Sequence, residues 1–389
     1  MTERLDLASA AAIIDDLRRE RRHELLALLE ETSPIYAGRS ASDAERLRAY
    51  VLVSFAEGLP IEQVLPFALE QIVSGHDPFA VAAAAKALRN TTAPPDRIGV
   101  LLVEAIRRLK SRDSYVWHDE LTITASRPPD RTMLMELADT LLDMVSKTET
   151  ARIAAAPLGA MLDEEAAAFH PRVRGLLERA LWVARNTASE PPATGAAAHT
   201  GQTCCGAGRA LSPLSLPDRH VHKGIPPVAL KLQDQDGSAF SFGDFFKGHV
   251  SAVVFFYTRC ENPEKCSLTI ANLAQLQRLV YRDPSLQNVR LAAFTYDAAF
   301  DTPERLKAYG RDRGVQFDRR TKLLRTIGPL DPVATFFELG VSFGETTVNL
   351  HRLELAVLGR DMEVIERVVR QKWQPEKVVK LIAEVSSTC

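Results

Sequence analysis

Five cysteines, Cys204, Cys205, Cys260, Cys266 and Cys389, all fall in the second half of this 389-residue chain. In a reducing compartment such clustering argues for metal or redox chemistry rather than structural bridges. Cys260 and Cys266 have the clearest setting: they follow an apolar run and flank the spacer Glu261-Asn262-Pro263-Glu264-Lys265. That spacer must loop back for the two sulfurs to meet. Cys266 opens a helical pattern, where backbone amides and the macrodipole favour a thiolate, and Lys265 adds positive charge. Cys204 and Cys205 are adjacent, so their side chains point apart. They are expected to deliver to, or exchange with, the main pair rather than bridge each other. Cys389 ends the chain and reads as frayed and dispensable.

The elements around the cysteine pair alternate between strand and helix from Gly224 onward. Val250 to Tyr257 is a near-continuous apolar run, as expected of a central strand buried on both faces. An amphipathic helix over 267–281 follows the pair, then a second buried strand over 289–295. A helix over 302–313 is capped by Asp301 or Thr302, with Pro303 in its first turn. Further strands are expected at 228–232, 239–242 and 353–358, and a closing helix at 375–385. A strand–helix–strand core with cysteines just after the first central strand is the thioredoxin layout.

Residues 1–186 read as helix after helix. Ser42-Asp43-Ala44-Glu45 has the form of a capping box before Leu47, Tyr50 and Val51. Ile61, Val64, Leu65, Ala68, Leu69 and Ile72 share one face of a helix that stops at Gly75. Asp77-Pro78 caps an alanine-rich helix ending near Asn90. Helices are also expected at 98–109, 131–147, 150–167 and 171–186. Short alanine-rich helices joined by Pro/Gly turns suggest stacked hairpins, and 77–88 loosely resembles one helix of a HEAT-type repeat. Between the halves, 187–223 reads as a Pro/Gly-rich linker carrying Cys204-Cys205 and His199, His220 and His222, the last two as a solvated feature.

Phe255-Phe256-Tyr257-Thr258-Arg259-Cys260 resembles the signature of the SCO/SenC family, an apolar strand ending in Tyr-Thr-x-Cys. Asn262-Pro263, Cys266 and Leu268-Thr269 continue it. Phe294-Thr295-Tyr296-Asp297, Asp301-Thr302-Pro303-Glu304 and Leu306-Lys307-Ala308-Tyr309 resemble the family's second strand and helix, and Trp373 precedes the closing helix. The resemblance runs from about Gly224 to the C-terminus. It implies a thioredoxin-like fold and a metal-binding histidine at His351. Family members usually space the cysteines as Cys-x3-Cys and are mostly membrane-anchored; here the spacing is Cys-x5-Cys.

Two thiolates and an imidazole suit Cu(I), because soft sulfur ligands select it. Zn(II) could use the same residues with a fourth ligand. Asp297 could tune the site or cap a loop. The expected architecture is therefore multidomain α plus α/β: a helical, HEAT-like domain over 1–186, the linker 187–223, and a thioredoxin-like domain over 224–389. The expected function is a copper-binding, metallochaperone-like protein using Cys260, Cys266 and His351, with the helical half as a protein-docking surface separate from the site. The alternatives are a thiol–disulfide oxidoreductase using Cys260 and Cys266, and a scaffold without chemistry. A net charge of −2 excludes a nucleic-acid-binding excess of base. No apolar run is long enough for a membrane span, and the simplest address is the cytoplasm.

Overall fold

The structure is a computed structural model that describes residues 6–92, 97–116, 131–147, 151–186 and 224–388. The helical half comprises α1 (Leu7–Glu20), α2 (Leu25–Leu29), α3 (Ala41–Val53), α4 (Leu65–Ser74), α5 (Pro78–Arg89), α6 (Ile98–Leu109), α7 (Met133–Lys147), α8 (Ala151–Glu165) and α9 (Pro171–Asn186). Helices α3, α5, α7 and α9 pack in succession as one layer, and α4, α6 and α8 as the other. Small residues permit this closeness. Ala80 and Ala82 to Ala85 on α5 are fully buried, and a Cβ at Gly99 would lie 2.8 Å from Ala154 Cβ.

The α5 cap is as expected: Asp77 accepts from the Ala80 amide and Pro78 opens the helix. The α3 cap is not. The chain offers two overlapping cap registers, and Ser40 takes the position by accepting from the Asp43 amide. Ser42 and Glu45 therefore sit inside the helix rather than at its start.

The second half is thioredoxin-like. Its strands are β1 (Lys231–Asp234), β2 (Ala239–Ser241), β3 (Ser251–Phe256), β4 (Arg290–Thr295), β5 (Thr321–Thr326), β6 (Val341–Phe343), β7 (Val348–His351), β8 (Glu354–Leu358) and β9 (Val364–Val369). Its helices are α10 (Phe242–Phe246), α11 (Leu268–Arg282), α12 (Pro303–Asp312), α13 (Asp331–Phe337) and α14 (Pro375–Thr388). The main sheet runs β2-β1-β5-β4-β3-β8-β9, with β3, β4 and β5 parallel and the other pairings antiparallel. Every residue of β3 is buried, as its apolar run requires. Strands β6 and β7 form a separate hairpin.

That hairpin ties the two halves together. Asn349 Nδ2 donates to the carbonyls of Tyr36 and Arg39, and the Gly38 amide donates to the Phe343 carbonyl at 2.8 Å. Leu350 is buried in the helical core, not in the sheet core. A second tie is ionic: Arg370 enters the helical half and meets Glu31 at 2.6 Å and Glu70 at 2.7 Å. Arg48 pairs with the same Glu31 at 2.6 Å. Among the described residues no helix is long and apolar enough to cross a membrane.

Candidate metal centre

The site begins where β3 ends. Asp301 is fully buried and accepts from the Thr258 amide at 3.1 Å and from the hydroxyls of Thr258 and Thr295. The expected capping carboxylate thus serves another end: it pins the loop that leaves β3 and presents Cys260. Thr302 holds the N-cap position of α12 without a side-chain bond.

The five-residue spacer closes as a π-helical turn over Pro263–Ser267, capped by Asn262, whose side chain accepts from the Glu264 amide. A π turn is wider than an α turn and takes up an extra residue without breaking the helix that follows. Cys266 ends up inside this turn, 1% exposed, while Cys260 stays partly exposed.

His351 closes the trio from the far end of β7. Its Nε2 lies 3.4 Å from Cys260 Sγ and 3.6 Å from Cys266 Sγ. The three donor atoms all lie within 4.8 Å of one another. His351 Nδ1 sits 3.2 Å from the Arg352 carbonyl. A carbonyl only accepts, so Nδ1 carries the proton and Nε2 turns its lone pair to the sulfurs. The Tyr257 and Tyr296 rings pack against the imidazole at 5.5 and 5.6 Å and fix its plane. Two sulfurs and one imidazole nitrogen are a soft donor set that fits a monovalent copper ion. A zinc ion would want a fourth ligand.

The thiols are not equivalent, and their order reverses the expectation. A hydrogen bond from the Cys266 thiol holds Cys260 well below the ordinary thiol range against its own burial. Burial pushes the Cys266 thiol up. Lys265 does not serve Cys266 as a free charge: its ammonium donates to the His351 carbonyl at 2.8 Å and to Glu70 at 3.3 Å. A depressed thiol pKa means thiolate above that value, so the metal-free, reduced protein should be alkylated by iodoacetamide selectively at Cys260 around pH 6, roughly two units below an ordinary thiol. Peptide mass mapping reads the result, and equal labelling of Cys260 and Cys266 would contradict the assigned asymmetry.

Asp297 lies outside the donor trio. Its carboxylate is engaged by the Arg259 guanidinium, which also donates to the Thr346 carbonyl at 2.8 Å. Cys204, Cys205, His199, His220, His222 and Cys389 lie outside the described residues. The helical half supplies no member of the trio, but it borders the site. Asn262 Nδ2 donates to the Ser74 carbonyl at 2.7 Å, and Glu45, His76 and Asp77 line the same cavity as Cys260 and His351. Nothing in the helical sequence flagged these residues, because each reads as an ordinary cap or solvated face.

Residues 228–385 match the family described as SCO1/SenC. Among curated proteins none matches the chain. Among solved structures, an SCO1/SenC family lipoprotein from Bacillus anthracis is 23% identical, covering 40% of this chain and 92% of that one, with a TM-score of 0.35. ScoI from Bradyrhizobium japonicum with copper bound is 20% identical over 41% of this chain and 99% of that one, TM-score 0.34. Yeast Sco1 with copper bound is 17% identical over 43% and 96%, TM-score 0.32. By the family match, residues 228–385 form an SCO1/SenC domain, docked through its thiol face onto a helical region that the match does not cover.

Proposed function

We propose that the chain is a copper-binding, metallochaperone-like protein that holds Cu(I) through Cys260, Cys266 and His351. The observation that carries this reading is the convergence of two sulfurs and one oriented imidazole within 4.8 Å on the SCO1/SenC segment. The helical half, in this reading, also offers a surface to a protein partner. A reducing compartment such as the cytoplasm would keep both thiols free for the metal.

A second reading has its own support. Cys260 is disposed to be a thiolate and Cys266 to stay protonated, which is the asymmetry of an attacking and a resolving thiol. In that chemistry the Cys260 thiolate breaks a substrate disulfide and releases one thiolate. Cys266, losing its proton, then displaces the second and leaves a Cys260–Cys266 disulfide.

His351→Ala separates the two. A three-donor copper site loses a ligand, so Cu(I) affinity should fall by roughly tenfold or more, about 1.4 kcal/mol at least. Reduction of a model disulfide should persist, since exchange depends on the cysteines. Unchanged copper affinity with a collapsed exchange rate would make His351 an acid–base group for the thiols and reject the copper reading.

A further inference from the structure

The helical half carries a pocket of its own, about 760 Å³, where the end of α1 meets the loop that follows α3. That size lies within the range of small-molecule sites, roughly 300–1,000 Å³. Arg18, Arg19, Arg22 and Lys86 line it against Glu20 and Glu57, so positive charge is in excess. Leu59 lines it too and is 84% exposed, an apolar side chain with nothing laid over it.

Two of these arginines are built into the wall. Ser54 is buried, and its hydroxyl donates to the Tyr50 carbonyl at 3.0 Å. Its Oγ accepts from Arg18 Nε at 3.0 Å, and its carbonyl accepts from Arg22 Nε at 3.0 Å. The two guanidiniums therefore meet at one residue. Arg22 Nη2 reaches the Phe55 carbonyl at 3.4 Å. Each guanidinium also lies over a ring, Arg18 over Tyr50 at 5.2 Å and Arg22 over Phe55 at 5.7 Å. These contacts cap the carbonyl end of α3, but none of the partners is an anion. Asp16 and Glu24 pair with Arg21 instead, and among the described residues no carboxylate pairs with Arg18 or Arg22. Burial, and then the charge of Arg18, pulls the Arg22 guanidinium below its ordinary range. Three terminal nitrogens are left without a partner, Arg18 Nη1 and Nη2 and Arg22 Nη1, and all three are open to solvent. A Cβ at position 58 would lie 2.5 Å from Arg22 Nη1, so Gly58, at a φ of +77°, leaves that nitrogen clear.

Two adjacent guanidiniums, each fixed at one edge and open at the other, match a phosphate group. Its oxygens take paired N–H donors, and its two charges balance two cations. A carboxylate would balance only one. We propose that this pocket binds the phosphate monoester of a small organic molecule, its phosphate held by Arg18 and Arg22 and its apolar body laid on Leu59. The pocket shares no residue with the Cys260, Cys266 and His351 trio, so the proposal does not rest on the copper reading.

The test is isothermal titration calorimetry of the reduced, metal-free, full-length protein with phenyl phosphate, phenyl sulfate and inorganic phosphate. A pH of about 8 keeps the phosphate ester dianionic. Phenyl phosphate should bind at one site per chain, roughly tenfold more tightly than phenyl sulfate, which has its shape but one charge fewer. It should also bind more tightly than inorganic phosphate, which has no body for Leu59. Arg18→Gln should weaken both phosphates by roughly tenfold or more, the size of one hydrogen bond to a charged group. Leu59→Ser should weaken the ester and leave inorganic phosphate unchanged. Leu59 is exposed, so this second variant keeps its fold and carries the test if circular dichroism shows Arg18→Gln to be misfolded. No saturable binding of phenyl phosphate would mean that the arginines only cap α3. Equal affinity for the two esters would mean a positive field without a phosphate site. Ester affinity unchanged in folded Arg18→Gln would place the anion elsewhere, and unchanged in Leu59→Ser would leave the organic body unread. Any of these overturns the proposal.

Discussion

Arg370→Met should destabilise the full-length protein by about 3–5 kcal/mol, the cost of breaking a buried charge network by removing one of its members. Both terminal nitrogens of Arg370 make their contacts across the boundary between the halves. Nη1 donates to Glu31 and Glu70, and Nη2 to Glu31 and Glu30, at 2.6–2.8 Å. Glu31 and Glu70 are almost fully buried, so solvent cannot replace the guanidinium. Arg48 stays on Glu31 and Lys265 on Glu70, so what is lost is the guanidinium's charge and its four hydrogen bonds. Met fills much of the volume without supplying charge. Urea denaturation followed by both far-ultraviolet circular dichroism and tryptophan fluorescence reads the loss, and the low-denaturant transition should separate the halves. Glu31→Gln should be costly in its own right, because it strips Arg48 as well as Arg370, and its loss should not add to that of Arg370→Met, because the two residues are coupled. A loss below about 1 kcal/mol would mean that the pair is no stronger than a surface ion pair and does not hold the halves together.

The same cluster sets an acid limit. Burial alone would raise the Glu31 carboxyl, but Arg370 and Arg48 outweigh it and hold it well below the ordinary glutamate range. A depressed carboxylate contributes its stability in full above the unfolded value, about 4.3, and loses it as pH falls through the folded one. Docking of the halves should therefore survive mild acid and fail only at lower pH.

How much of this could be read from the chain differs by element. The strand leading to Cys260 was legible because β3 is buried on both faces and its sequence is apolar after Ser251. The α5 cap was legible because Asp-Pro satisfies both helix-start preferences at once. Strands β5 to β7 and β9 were not anticipated. Strand β7 mixes Val348, Asn349, Leu350 and His351, all buried, because it faces a thiol site on one hand and the helical core on the other. Its apolar–polar alternation runs for only four residues, the shortest stretch that marks a strand. The α3 cap was misread because Ser40 and Ser42 offer competing registers, and local pattern alone does not choose between them.

The trio itself was legible, through the spacing of Cys260 and Cys266 after a buried strand and through family resemblance at His351. The helical half's share in the site was not. Glu31 and Arg370 are 339 positions apart, and Ser74 and Asn262 are 188 apart. Single charged residues in helices are ordinarily solvated, so Glu70 beside Leu69 and Ile72 gave no sign of being buried. The thiol order was misjudged for a related reason. The helix start does favour a thiolate, but the π turn buries Cys266 and burial wins.

The central claim is that two cysteine sulfurs hold one copper ion. It is tested most directly by titrating the reduced, full-length protein anaerobically with Cu(I) against a competing chromogenic chelator, beside the Cys260→Ser, Cys266→Ser double variant. The account predicts one tightly held Cu(I) per wild-type chain. In the double variant only the His351 imidazole of the trio remains, and a lone imidazole cannot compete with the chelator. Loss of both soft donors should cost at least about 3 kcal/mol, more than a hundredfold in affinity. The variant should nevertheless keep its fold, since serine replaces cysteine with little change in volume. Unchanged stoichiometry and affinity in the folded double variant would contradict the account and place the copper elsewhere in the chain.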